Sequence, residues 1–162
     1  MNVIDHYREM LRYETWANAR VMESLESIPQ EERHGRVYDR AMSLLAHNAL
    51  ARQVWLWRIH GTAYENPSDW FPVSSLETQR KMCEEADKAW GRFIDSLDDA
   101  ALDREVRYAA SSGDKFGSTL RDILVHVFNH STYHRGQLAR LITECGGQRV
   151  PTDFIAINRV TL

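Results

Sequence analysis

The sequence predicts an all-α protein: a four-helix bundle with a short β-hairpin inserted before the last helix. Three observations predict it. Four long stretches repeat apolar residues at helical spacing. Proline, glycine and serine clusters punctuate the stretches. One short segment before the fourth stretch alternates apolar and polar residues instead, around a Ser-Gly-Asp turn. At 162 residues the chain is long enough to bury a proper core, and residues 1–162 are expected to form one domain.

The first helix is expected over about residues 3 to 28, with Ile4, Tyr7, Leu11, Val21, Leu25 and Ile28 on one face. Pro29 stops it, because proline disfavours helix at the preceding residue. Glu14 and Asn18 fall on the same face, where apolar residues are expected. Either they sit at its edge and reach solvent, or they orient a metal-bound histidine or water from behind. Trp16 reads as packing. After a polar connection from Gln30 to Asp39, a second helix runs from about Arg40 to His60, with Ala41, Leu44, Leu45, Ala51, Val54, Trp55 and Ile59 inward. His60 and Gly61 end it, a cation at the negative end of the dipole followed by a glycine stop. His34 reads as a loop residue and His6 as a first-turn surface residue.

Thr62 to Val73, with Pro67 and Pro72, reads as a long loop whose Trp70-Phe71 pair covers one end of the bundle or a partner surface. The third helix is expected to start with Ser74 as N-cap and Glu77 closing a capping box. Leu76, Cys83, Ala86, Trp90, Phe93 and Leu97 carry it to about Asp98. The hairpin occupies Glu105 to Gly117, and being marginal alone it must pack on the bundle. Thr119 and Asp122 cap the fourth helix, which ends at Gly146-Gly147. The tail from Gln148 to Leu162 is expected to dock as an extended segment through Phe154, Ile155 and Ile157.

Composition excludes several classes of function. The net charge is −3 and the pI about 6.2, with Lys and Arg scattered, so there is no electrostatic footprint for nucleic acid. No apolar run approaches membrane-spanning length, and the first residues lack the apolar core of a signal peptide. A cytoplasmic protein without membrane attachment is expected. Cys83 and Cys145 form no CxxC and fall on helical apolar faces, which reads as buried free thiols.

The chemistry concentrates in the fourth helix, where His126, His130 and His134 recur every four residues. Residues four apart on a helix have Cβ atoms roughly 5–6 Å apart, so two imidazoles can converge on one metal ion. All three cannot, since His126 and His134 lie about 12 Å apart along the axis. At ~100° per residue, His134 falls near the centre of the apolar arc, His130 to one side and His126 out on the flank. His130 and His134 form the inward pair, and His126 is a boundary residue or an outer one that supports them. His47, on the apolar face of the second helix, is the best candidate for a third ligand. Three histidines leave a coordination position open to water or substrate, which belongs to a catalytic site rather than a structural one. Imidazoles alone suit zinc, nickel, copper or iron. The di-iron bundle pattern is missing, its only Glu-x-x-His spacing being Glu31 to His34 in the polar connection. The His-Glu-x-x-His, P-loop and dinucleotide glycine patterns are absent too.

His47 followed by Asn129-His130-Ser131-Thr132-Tyr133-His134-Arg135-Gly136-Gln137-Leu138 resembles the DinB family of DinB/YfiT-like metalloenzymes. Trp16-Ala17-Asn18 and the hairpin before the last helix are similar as well, and the likeness spans essentially the whole chain. The resemblance implies a four-helix bundle, often a homodimer, with His47, His130 and His134 as ligands to nickel or zinc. Some relatives on this scaffold use a low-molecular-weight thiol, as mycothiol-dependent maleylpyruvate isomerases and bacillithiol transferases do. YfiT-like relatives imply metal-assisted hydrolysis. The expected function is thus a metal-dependent thiol transferase or isomerase acting on a small molecule. The alternatives are a metallohydrolase or a non-enzymatic metal- or ligand-binding dimer.

Overall fold

Four α-helices and one antiparallel hairpin make up the protein in the computed structural model, which describes residues 2–62 and 67–161. The helices are α1 (Val3–Glu26), α2 (Gly35–His60), α3 (Leu76–Asp95) and α4 (Leu120–Glu144). Strands β1 (Glu105–Ala109) and β2 (Lys115–Thr119) precede α4, paired from Glu105↔Thr119 to Ala109↔Lys115. Short 3-10 turns occupy Gln30–Glu32, Ala100–Asp103 and Phe154–Ile157. Among the described residues, no helix is long and apolar enough to cross a membrane.

α1 and α2 each pack against both α3 and α4. Cross-helix pairs give the directions. Arg8–Asp95 and Glu26–Arg80 make α1 antiparallel to α3. Gln79 donates to the Met42 carbonyl and Arg52 pairs with Asp87, so α2 and α3 run parallel. His47 meets His130 while Trp55 meets His126, so α2 and α4 run antiparallel. Because α2 and α3 are parallel, α3 starts at the end where α2 starts. The segment before α3 therefore carries Trp70 and Phe71 alongside the middle of α2, against His47. The expected cover at one end of the bundle is thus a cover over the mid-bundle instead. The expected loop over Thr62 to Val73 lies partly outside the described residues, at 63–66.

Several boundaries differ from expectation, α1 ending at Glu26 rather than about residue 28 and the hairpin running on to Thr119. α2 begins at Gly35 rather than Arg40, because its first residues are exposed or only half-buried and carry no apolar face to mark them. α3 is capped by Ser75, not Ser74: the Ser75 hydroxyl accepts from the Thr78 amide at 3.2 Å. Glu77 then faces outward to Lys81, and Gln79 turns in to reach Met42. α3 also ends at Asp95, short of Asp98. The Thr119–Asp122 cap of α4 is as expected, Thr119 Oγ1 accepting from the Asp122 amide at 3.2 Å. Gly61 adopts φ 64°, left-handed backbone that an ordinary residue resists, and ends α2. The tail is not wholly extended. It turns at Phe154–Ile157 and is tied to α1 by Tyr13 donating to the Thr152 carbonyl and by Asn158 bonding Glu9.

Two apolar clusters form the interior. One gathers Tyr7, Leu56, Trp90, Leu102, Leu124 and Phe128; the other gathers Leu25, Leu44, Leu45, Leu138 and Ile142. Between them, in the middle turns of all four helices, lies a buried polar belt of Glu14, Asn18, Asn48, Arg52, Ser131 and Arg135, with Asp87 at its border. The three inward histidines sit at the level of this belt, on the α2–α4 seam.

Candidate metal centre

His47 projects from the middle of α2, and His130 and His134 from adjacent turns of α4. The antiparallel seam brings them together. One ring nitrogen from each lies within 4.8 Å of the others, close enough to hold a metal ion. Ring centroids are 5.1 Å apart for His47–His130, 4.7 Å for His47–His134 and 4.5 Å for His130–His134. His47 and His134 are buried and His130 half-buried.

Two of the rings have fixed tautomers. The Trp70 carbonyl lies 2.8 Å from His47 Nδ1. A carbonyl only accepts, so Nδ1 carries the proton and Nε2 of the neutral ring is a lone pair. His134 Nδ1 faces Gln137 Oε1 at 3.0 Å, which likewise leaves its Nε2 as an acceptor. His47 Nε2 in turn faces His130 Nε2 at 3.2 Å. The surroundings of His47 and His130 favour their neutral forms. Burial, with His134 and His47 beside it, pushes His130 down to about 4. Burial lowers His47 as well, against the opposing Trp70 hydrogen bond. With His47 Nε2 an acceptor, the neutral His130 ring donates its Nε2–H across that contact, and a divalent cation among the three rings would take a lone pair from each instead. The donor set fits a divalent transition metal with an open position. Phe71 stacks on the His47 ring at 4.3 Å and closes one side.

His126 is exposed and stands apart from this set. Its ring lies 5.5 Å from His130 and 5.2 Å from Trp55. Glu14 and Asn18 are buried, so the solvent-edge expectation for them does not hold. Neither is seen to orient an imidazole directly. Glu14 Oε2 accepts from Arg135 Nη1 at 2.5 Å, and its Oε1 accepts from Asn18 Nδ2 at 3.0 Å. Arg135 follows His134 in α4 and also donates to Thr132 Oγ1 at 2.9 Å. The pair therefore anchors the backbone that carries His130 and His134.

Sequence reasoning missed the groups that orient the rings. Gln137 carried a signal, sitting three residues after His134 on the same helix face. The Trp70 carbonyl carried none, being a backbone atom brought in by the return of the chain toward α3.

The family model for the DinB family matches residues 1–161. Protein DinB of Bacillus subtilis (strain 168) is 23% identical over 154 residues, covering 90% of each chain. The crystal structure of a DinB-like protein from Bacillus cereus ATCC 10987 superposes with a TM-score of 0.61 at 18% identity, covering 88% of this chain and 94% of that one.

Proposed function

The chain belongs to the DinB family, and on that footing we propose that it is a metal-dependent thiol transferase or isomerase with an open three-histidine site. The observation that carries this reading is the convergence of His47, His130 and His134, with the first and last presenting Nε2 lone pairs. A nickel or zinc ion held there supplies Lewis acidity, which favours the thiolate form of a thiol at neutral pH. The chain's own groups do the rest. Trp70 and Gln137 hold two rings in register, and Phe71 covers one side of the His47 ring. The seam beyond His130 stays open to a small molecule.

The protein's own thiols are poor candidates for the nucleophile. Burial pushes Cys83 up to about 12, and Cys145 is buried at the far end of α4, about 16 Å past His134. The thiol must come from outside the chain. By family resemblance the working form is read as a homodimer, an assignment that light scattering of the purified protein tests.

The test of activity is to load the protein with nickel or zinc and supply a low-molecular-weight thiol such as cysteine with an aryl halide electrophile. Metal-dependent thioether formation, lost on chelation, is expected. Cleavage of simple esters without thiol, and no thioether, replaces this reading with a hydrolase. Neither reaction leaves a non-enzymatic metal-binding protein.

A further inference from the structure

Each inward histidine is followed in the chain by a buried polar residue: His47 by Asn48, His130 by Ser131 and His134 by Arg135. Successive residues of a helix point about 100° apart. A histidine on the α2–α4 seam therefore leaves its neighbour facing the polar belt inside the bundle. The belt ties helix to helix at that level. Arg135 joins α4 to α1 through Glu14, and Arg52 Nη2 joins α2 to α3 through Asp87 Oδ1 at 2.6 Å. Across the α2–α4 seam, Asn48 Nδ2 donates to the Ser131 carbonyl at 3.4 Å. That bond runs beside the contact of His47 Nε2 with His130 Nε2 at 3.2 Å, each partner one residue on from a histidine.

Stability does not account for an amide in that place. Asn48 is 1% exposed, and its Oδ1 has no hydrogen-bond partner in the protein. Burying a carbonyl without a partner is unfavourable, so a leucine of similar size would fill the space at less cost to the fold. What the amide adds is direction: its bond fixes where α4 lies against α2 at the turn that carries His47 and His130. Two nitrogens bound at about 2.0–2.1 Å to one tetrahedral ion stand about 3.3 Å apart. His47 and His130 already hold theirs at 3.2 Å.

We propose that Asn48 is a positioning residue for the metal centre, holding α2 against α4 so that His47 and His130 keep the spacing of a zinc- or nickel-sized ion. It is not itself a ligand and acts through the two histidines beside which its bond runs. A seam fixed at that spacing favours small ions over larger ones such as cadmium, because site geometry rather than raw affinity sets selectivity among metals. The proposal rests on the three-histidine reading above.

The test titrates zinc and cadmium separately into the full, untagged chain against a competing chelator, with urea unfolding of the metal-free proteins alongside. Asn48→Leu should bind zinc more weakly by about tenfold or more and cadmium by much less, so the preference for zinc narrows. Its metal-free stability should match or exceed the parent's. Asn48→Ala should narrow the preference in the same way, which keeps the test open if the leucine variant does not fold. Ile94→Ala, buried in α3, a helix that supplies no ligand, should lose stability and keep the parent's zinc affinity. An Asn48→Leu protein that binds zinc as the parent does overturns the proposal and leaves the metal centre standing. Equal losses for the two ions, or a zinc loss that merely tracks lost stability in Ile94→Ala as well, make Asn48 a structural residue and overturn it too. A parent that binds neither ion sinks the metal centre itself, and the proposal with it.

Discussion

The Nη1 nitrogen of Arg135 lies 2.5 Å from Glu14 Oε2, with both side chains almost wholly inside the bundle. The pair joins α1 to the turn of α4 that carries His134. Glu14→Gln removes the counter-charge and leaves a buried guanidinium uncompensated, which costs about 3–5 kcal/mol. Urea unfolding of the variant against the parent measures it. A loss below about 1 kcal/mol would mean that the pair behaves like an exposed one.

The same carboxylate sets an acid limit. Burial alone would raise its pKa, but the charges of Arg135 and Arg52 and the hydrogen bond from Arg135 together hold it below its ordinary 4.5. A carboxyl depressed in the folded state contributes stability that is present above its unfolded value and lost as pH falls through its folded one. The parent should therefore lose stability below about pH 4.5 more steeply than Glu14→Gln does. Melting temperatures taken between pH 6 and pH 3 check this. Parallel curves for the two proteins would contradict it.

Gln137 faces the ring nitrogen of His134 that points away from the cluster, at 3.0 Å. Gln137→Leu keeps the bulk and removes the acceptor, so the ring loses its orientation. Loss of such an outer partner costs about 10- to 100-fold in metal affinity. Competition titration against a chelator of known affinity reads the change. Helicity should stay constant, since Gln137 is only half-buried.

How much of this was legible in the chain itself differs by element. The Thr119 cap and the hairpin carry local signatures, because a hydroxyl three residues before an acid and a Ser-Gly-Asp turn act within a few residues. Angular position on α4 separated His134, which is buried, from His126, which is exposed. The first turn of α2 was not legible, since a helix that shows no buried face there has no apolar period to detect. Nor was the meaning of Glu14 and Asn18. Their partner, Arg135, is 121 residues away from Glu14 and is brought in only by the packing of α1 on α4. Trp70 lies beside His47 because α2 and α3 run parallel, a relation between helices that no single stretch encodes.

The two apolar clusters lie on either side of the histidine layer and do not need it to form. Chelation should leave the helical circular dichroism intact and lower the melting temperature modestly. Binding linkage at a hundredfold excess over Kd is worth about 2.7 kcal/mol. A chelated protein with the spectrum of a random coil would make the site structural rather than open.

The central claim is that three histidines on two helices hold one ion. Equilibrium dialysis of untagged, metal-stripped protein against nickel or zinc tests it directly. One ion per chain is expected. Affinity should fall in His47→Ala, His130→Ala and His134→Ala by more than the about 10- to 100-fold of an orienting residue, with His126→Ala binding as the parent does. A parent that takes up no ion, or a His47→Ala variant that binds as tightly as the parent, would contradict it.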